Sequence, residues 1–179
     1  GSSDETIKVW DAATLELKSE KQNAHSYVVS SVQFSPDGAL IVSGSYDKTI
    51  KVWDASSLAL VAEKSNAHSR SVVSVAVSPD GTKIVSGSSD ETIKVWDAAT
   101  LELKSEKQNA HSYVVSSVQF SPDGALIVSG SYDKTIKVWD ASSLALVAEK
   151  SNAHSRSVVS VAVSPDGTKI VSGSSDETI

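Results

Sequence analysis

Several residue types and patterns are missing from this sequence of 179 residues. It has no cysteine, which excludes disulfides, thiolate metal sites and thiol nucleophiles and leaves no sign of the redox compartment. It has no excess of positive charge, and its formal net charge of -6 argues against nucleic acid as a partner, because binding phosphate needs a clustered basic face. No apolar run approaches the roughly 20 residues of a membrane span. We therefore expect a soluble protein without nucleic-acid or membrane partners. The sequence does not identify a cellular compartment, and we expect only that the recombinant protein is expressed in the cytoplasm.

An internal repeat dominates what is present. Residues 1–86 and 87–172 are identical at every position, and residues 173–179 begin a third copy. Each 86-residue unit divides into halves A (1–43) and B (44–86), which match at 28 of 43 positions. Natural duplications diverge unless they are recent, so the identity favours deliberate construction, as does the absence of methionine. A freshly amplified natural array is the alternative.

Each 43-residue period predicts four short strands. Segment 28–34 is rich in β-branched residues and ends at Ser35-Pro36-Asp37-Gly38, a type I turn followed by a left-handed glycine. The next strands are predicted at 40–43 and 49–54, with a turn at 44–48 between them. A fourth, weaker strand is predicted at 58–62, and a helix competes only there and in the copy at 15–21. Since one such sheet cannot bury both faces, we expect an all-β stack of sheets around an axis.

The motifs of the repeat resemble the WD40 family. Trp-Asp closes the third strand at Trp10-Asp11, Trp53-Asp54, Trp96-Asp97 and Trp139-Asp140. An upstream histidine precedes the strands at His25, His68, His111 and His154. One departure is that the family's usual Gly-His pair is Ala-His here. The A-B alternation is similar to computationally designed symmetric WD40 rings such as the Ika designs.

The resemblance implies a buried structural hydrogen-bond network of histidine, serine, aspartate and tryptophan in every blade. A buried indole N–H needs an acceptor, and an imidazole needs partners on both nitrogens. Carried over by motif, the sets are His25, Ser43, Asp47 and Trp53; His68, Ser86, Asp90 and Trp96; His111, Ser129, Asp133 and Trp139; and His154, Ser172 and Asp176 with Trp10.

The fourth set indicates how the chain is organised. No tryptophan follows Asp176 and no histidine precedes Trp10, so we expect the two ends to be halves of one blade. The resemblance implies a WD40 β-propeller with four blades in residues 1–179: 28–63, 71–106, 114–149, and a split blade from 158–179 plus 1–20. The resemblance also implies rings of six to eight blades, so we do not expect four blades to close comfortably on themselves. We expect a C₂ homodimer with eight blades, in which the partner is a second copy of the chain.

Other sites receive less support. Serine, histidine and aspartate invite a hydrolase interpretation, but the trio recurs in every blade together with a tryptophan, as a structural network does. The histidines lie 43 residues apart without a second ligand at short spacing, so we expect no metal site and no cofactor. A peptide bound on the top face of the ring would contact residues such as Tyr27, Tyr46, Arg70 and Ser89.

Three functions follow as hypotheses. We expect a designed self-assembling scaffold with no catalytic activity and no natural ligand. The alternative is a natural, recently duplicated interaction module that binds peptides on the top face. An enzyme is disfavoured because no polar constellation occurs outside the repeat. The A and B halves also alternate in charge, with glutamate at Glu5 and Glu91 against lysine at Lys48 and Lys134. This alternation would favour A next to B.

Overall fold

The computed structural model describes residues 2–179, and within that range the chain forms sixteen β-strands and no helix. Three four-stranded sheets lie between two two-stranded sheets, which we call the N-terminal half-sheet (β1–β2) and the C-terminal half-sheet (β15–β16). The strands are β1 Ile7–Trp10, β2 Leu17–Lys21, β3 Val29–Phe34, β4 Leu40–Ser45, β5 Ile50–Asp54, β6 Leu60–Lys64, β7 Val72–Val77, β8 Lys83–Ser88, β9 Ile93–Asp97, β10 Leu103–Lys107, β11 Val115–Phe120, β12 Leu126–Ser131, β13 Ile136–Asp140, β14 Leu146–Lys150, β15 Val158–Val163 and β16 Ile170–Ser174.

Every complete sheet is an antiparallel meander whose strands follow chain order, as in β3-β4-β5-β6. Ile41 lies opposite Trp53, and Ser43 lies opposite Lys51. The second and third sheets repeat this register because their sequences repeat it. One serine of the second strand is thereby placed on the same face as the tryptophan of the third.

Two turns set the lengths of the strands. Gly38 has a φ of 72° and donates its N–H to the Ser35 carbonyl at 2.9 Å, which is the turn that the sequence predicts. The predicted end of the second strand was wrong, since β4 continues through Ser45. The predicted start of the fourth strand was also wrong. Leu58 has a φ of 53° and is buried in the turn before β6.

The core lies between stacked sheets, where the first strands β3, β7, β11 and β15 pack on one another in sequence. Buried aliphatic residues of one sheet continue into the next as contiguous clusters. The approach is close at Gly44, where a Cβ atom would lie 2.7 Å from Val72 Cγ1. Only glycine fits there, and its repeat equivalents in β8 and β12 are as crowded. In the half-sheet strand β16, however, Gly173 has nothing within 4 Å of the same position.

Candidate functional site

A hydrogen-bonded chain of four side chains lies inside each complete sheet. In the first, the Trp53 indole donates to Ser43 Oγ at 2.8 Å, and Ser43 Oγ lies 2.7 Å from His25 Nε2. His25 Nδ1 lies 3.0 Å from Asp47 Oδ2. The next two sheets bring together the equivalent residues that the sequence names, which are His68, Ser86, Asp90 and Trp96, and then His111, Ser129, Asp133 and Trp139.

The direction of the hydrogen bonds fixes the proton on each imidazole. An indole N–H can only donate, so the Ser43 oxygen accepts from Trp53. The Ser43 hydroxyl then donates to His25 Nε2, which therefore carries no proton. The remaining proton lies on Nδ1 and is donated to the Asp47 carboxylate. Every donor has an acceptor, and no buried side-chain nitrogen or oxygen in residues 2–179 lacks a partner.

A threonine completes the network and was missed by the sequence reasoning. Thr49 Oγ1 lies 2.7 Å from Asp47 Oδ1, to which it donates, and 2.9 Å from His25 Nδ1. The backbone N–H of Ser26 also donates to Asp47, at 3.0 Å. The Asp-x-Thr spacing recurs in the next two sheets as Asp90-x-Thr92 and Asp133-x-Thr135. This spacing is the feature of the sequence from which the threonine could have been predicted. An aspartate two residues before a threonine commonly forms such a turn.

The network alters the acidity of its members. Burial lowers the pKa of His25 and of His111, and the neighbouring aspartates only partly offset it. For Asp47, burial acts to raise the pKa. The hydrogen bonds from Thr49 and from the Ser26 backbone outweigh it and hold the pKa at about 2. The pair is therefore a neutral imidazole beside a carboxylate.

The same geometry is that of a serine–histidine–aspartate triad, so its accessibility decides what it can do. The Ser43 side chain is completely buried, as are the equivalent serines in β8 and β12. Its oxygen already accepts from Trp53, and His25 is 2% exposed. A triad needs a nucleophile that a substrate can reach and an oxyanion hole beside it. The internal networks present no such nucleophile to solvent.

The fourth network is divided between the ends of the chain. His154 Nε2 lies 2.8 Å from Ser172 Oγ, and His154 Nδ1 lies 3.2 Å from Asp176 and 3.0 Å from Thr178. Within residues 2–179 no indole reaches Ser172, and Trp10 makes no hydrogen bond through its side chain. Trp10 is 51% exposed, whereas Trp53, Trp96 and Trp139 are at most 2% exposed. The structure therefore does not bring Trp10 to the His154 set within one chain.

Other apolar residues at the two ends of the stack differ in the same way from their internal copies. Val171 is 51% exposed and its identical copy Val85 is 0% exposed. Phe34 is 50% exposed, and its copy Phe120 is 7% exposed. A small cavity of about 70 Å³ beside Phe34 is lined by Ile7, Val9 and Val32, together with Lys8, Gln33 and Ile41. Both ends of the stack thus present apolar surfaces that identical residues bury elsewhere.

Lysines from two neighbouring sheets also contact the same tryptophan ring. Lys21 of the N-terminal half-sheet lies 5.9 Å from the ring centroid of Trp53 in the next sheet, and Lys51 lies 5.7 Å from the same ring. Lys51 in addition donates to the Ala24 carbonyl at 3.0 Å. The arrangement recurs at Trp96 and Trp139. Cation–π contacts of this kind add to the contact between sheets.

The residues predicted on the top face lie in loops at the histidine end of the sheets. Tyr27, Tyr46 and Arg70 are exposed, and Ser89 is half-buried. No three histidine, aspartate or glutamate side chains of residues 2–179 gather in an arrangement that could hold a metal ion. No helix in the described range is long and apolar enough to cross a membrane.

Repeated four-stranded antiparallel sheets, stacked through their first strands and each built around one Trp–Ser–His–Asp network, define a repeat protein of the β-propeller class. The model of the WD40 family, described as WD domain, G-beta repeat, matches residues 17–54, 61–97, 103–140 and 147–179. The chain belongs to the WD40 family. A comparison with curated proteins finds no match.

Proposed function

We propose that the chain is a self-assembling scaffold, in which two copies complete each other's half-sheets and close a ring of eight blades. The observation that carries this proposal is the pattern of exposure. Trp10, Val171 and Phe34 are exposed at the ends, while identical residues inside the stack are buried. Exposed apolar surface of this kind marks an interaction site.

The half-sheets are complementary because the chain contains their completed copy. β1 has the sequence of β9, and β16 has the sequence of the end of β8. In the chain β8 pairs with β9, which places Ser86 opposite Lys94 and Gly87 opposite Ile93. The same pairing between copies would place Ser172 of one opposite Lys8 of the other. Trp10 would then reach Ser172 and supply its missing donor, as Trp96 does for Ser86.

Closure by two chains satisfies both ends at once. Each copy offers one N-terminal and one C-terminal half-sheet, so a two-fold axis forms two identical junctions and leaves no half-sheet incomplete. The buried serines argue against a catalytic role for the networks, and exact repetition leaves no unique blade for a binding site. Perfect identity of the two 86-residue units supports a designed origin for such a scaffold.

A peptide-binding module is the second candidate. The exposure of Tyr27, Tyr46, Tyr113 and Tyr132 in loops at one end of the sheets favours it. Such tyrosines would be repeated symmetrically, so this function predicts several equivalent weak sites.

Light scattering at micromolar concentration tests assembly directly. We expect twice the chain mass of 18.7 kDa. A mass of one chain would contradict the scaffold proposal. A mass of three chains or more would contradict closure by two.

A further inference from the structure

Neighbouring sheets meet in two chemically different ways, and the difference lies in their first strands. β3 and β11 contain Ser-Ser-Val-Gln-Phe, whereas β7 and β15 contain Val-Ser-Val-Ala-Val. From β3 to β7 the contact is polar. Ser30 Oγ donates to the Val72 carbonyl at 2.6 Å, and the Val77 N–H donates to Gln33 Oε1 at 2.9 Å. From β7 to β11 only the Ser74 hydroxyl takes part, accepting from Val118 N–H at 3.1 Å.

Side-chain size alternates together with polarity. A residue of one first strand faces the position 44 residues later, as Gln33 faces Val77. The Ser74–Val118 hydrogen bond has the same offset, which relates Ala76 to Phe120, and these two residues belong to one buried cluster. A medium amide thus meets a medium aliphatic residue at one contact, and the smallest side chain meets the largest at the next. A close-packed core tolerates neither an added nor a missing group of that size without cost.

We infer that this size-matched pair specifies which half-sheet joins which at the junction between copies, through Ala162 of one copy and Phe34 of the other. The inference rests on the proposed assembly. Ala162 is the copy of Ala76, and Phe34 is the copy of Phe120. Both are exposed in the isolated chain, and Phe34 borders the apolar cavity at the N-terminal end. The junction therefore repeats the β7–β11 type of contact.

The pair also explains why the two types of first strand alternate. Two neighbours of the β3 type would set a glutamine against a phenylalanine, which overfills the space. Two neighbours of the β7 type would set an alanine against a valine and leave a cavity. An alternating order avoids both, and an even number of blades preserves it around a closed ring.

The test uses only residue pairs that the chain already contains. Ala162→Gln should overfill the junction, Phe34→Val should leave it underfilled, and each should weaken association at least tenfold. The double variant recreates the pair Gln33–Val77, and its dissociation constant should return to within about threefold of that of the unmodified chain. Because both positions are exposed in the isolated chain, its folding should not change, and circular dichroism of the dilute protein checks this.

Mixing the two single variants gives a second readout that folding defects cannot imitate. In a mixed dimer one junction pairs the new glutamine with the new valine, and the other pairs the original Ala162 with Phe34. Sedimentation velocity should show that the mixture dimerises where neither variant does alone. Additive losses in the double variant, or no recovery on mixing, would overturn the inference while leaving the scaffold proposal intact. An unmodified chain that stays monomeric would instead contradict the proposed assembly itself.

As a matched control, Ala76→Gln places the same change at an internal contact. It should lower the stability of the chain to unfolding and leave the junction unchanged. If Ala76→Gln weakened association as strongly as Ala162→Gln, the effect at position 162 would not be specific to the junction.

Discussion

The Ser43 hydroxyl links a donor that cannot accept, the Trp53 indole, to an acceptor that cannot donate, the unprotonated Nε2 of His25. One hydroxyl fills both roles only if it is held between them, and the pairing of Ile41 with Trp53 achieves this. Each such bond contributes about 1 kcal/mol net, and an orphaned buried partner costs more. The same atoms that would form a hydrolytic triad are therefore used to fix the interior of a sheet.

Substituting tryptophan should have different consequences inside and at the end of the stack. Trp53→Ala should lower the free energy of unfolding by about 3 kcal/mol or more, because it opens a cavity and orphans Ser43. Trp10→Ala should barely change the unfolding of the dilute chain, where Trp10 is exposed, but should weaken association. Chemical denaturation and sedimentation measure the two effects. Equal destabilisation by both variants would show that Trp10 is already packed within its own chain.

Lowering the pH should reduce the stability of the fold in two steps, and the first step is the protonation of histidine. Burial lowers the pKa of His25 and His111 below the ordinary 6.5, so the unfolded chain binds more protons as the pH falls below 6.5. The contribution of these two histidines to stability is therefore fully present above pH 6.5 and declines as the pH falls below it. Asp47, with its pKa lowered from 3.8 to about 2, adds a second loss only below pH 4. Urea unfolding between pH 7.5 and 5 isolates the first step, and constant or rising stability there would contradict it.

At the scale of strands, local chemistry predicted most of the structure. The alternation of Ile50 to Asp54 and the Pro-Asp-Gly turn indicated the central strands, and the Trp-Asp motif indicated the family. The start of β6 was not predictable in this way. Leu58 adopts a left-handed φ that its residue type disfavours, because burial and the hydrogen bonds from Ser56 and Ser57 to Asp54 hold the turn.

The contacts between strands of neighbouring sheets needed three-dimensional information. The sequence suggested that alternating charges in the turns favour A next to B. Yet among residues 2–179 no ion pair within 4.0 Å joins Glu5 or Glu91 to Lys48 or Lys134. Exposed pairs of this kind contribute at most about 1 kcal/mol. The difference between the half-buried Gln33 and the buried Ala76, at contacts between neighbouring sheets, is a stronger basis for the alternation. This role of the two residues cannot be predicted from the sequence alone, because a sequence does not show which side chains face the next sheet.

For the whole molecule, the repeated segments at the two ends would compete for the same place at each junction of the proposed ring. Residues 173–179 repeat residues 1–7, and both copies of the turn are engaged in the isolated chain. The Glu5 carbonyl accepts from Ala24 N–H at 2.9 Å, while Asp176 accepts from Ser155 N–H at 2.8 Å. Inside the stack a single turn makes both contacts, with the Lys48 carbonyl bound to Ala67 and Asp47 bound to Ser26. Each junction of the proposed ring therefore has room for only one copy, and the other must be displaced.

Removing residues 174–179 should consequently strengthen association rather than weaken it. The isolated chain would lose Asp176 and Thr178 as partners of His154, and a second copy would restore them through Asp4 and Thr6. Assembly would then gain hydrogen bonds without displacing a folded segment, so we expect the dissociation constant to fall at least tenfold in a dilution series followed by sedimentation. Removing residues 2–6 as well leaves the position empty at each junction and should weaken association below that of the unmodified chain. If the first deletion alone abolished dimers, the two copies of the turn would not be interchangeable, because a second copy's Asp4 and Thr6 would have failed to reach His154.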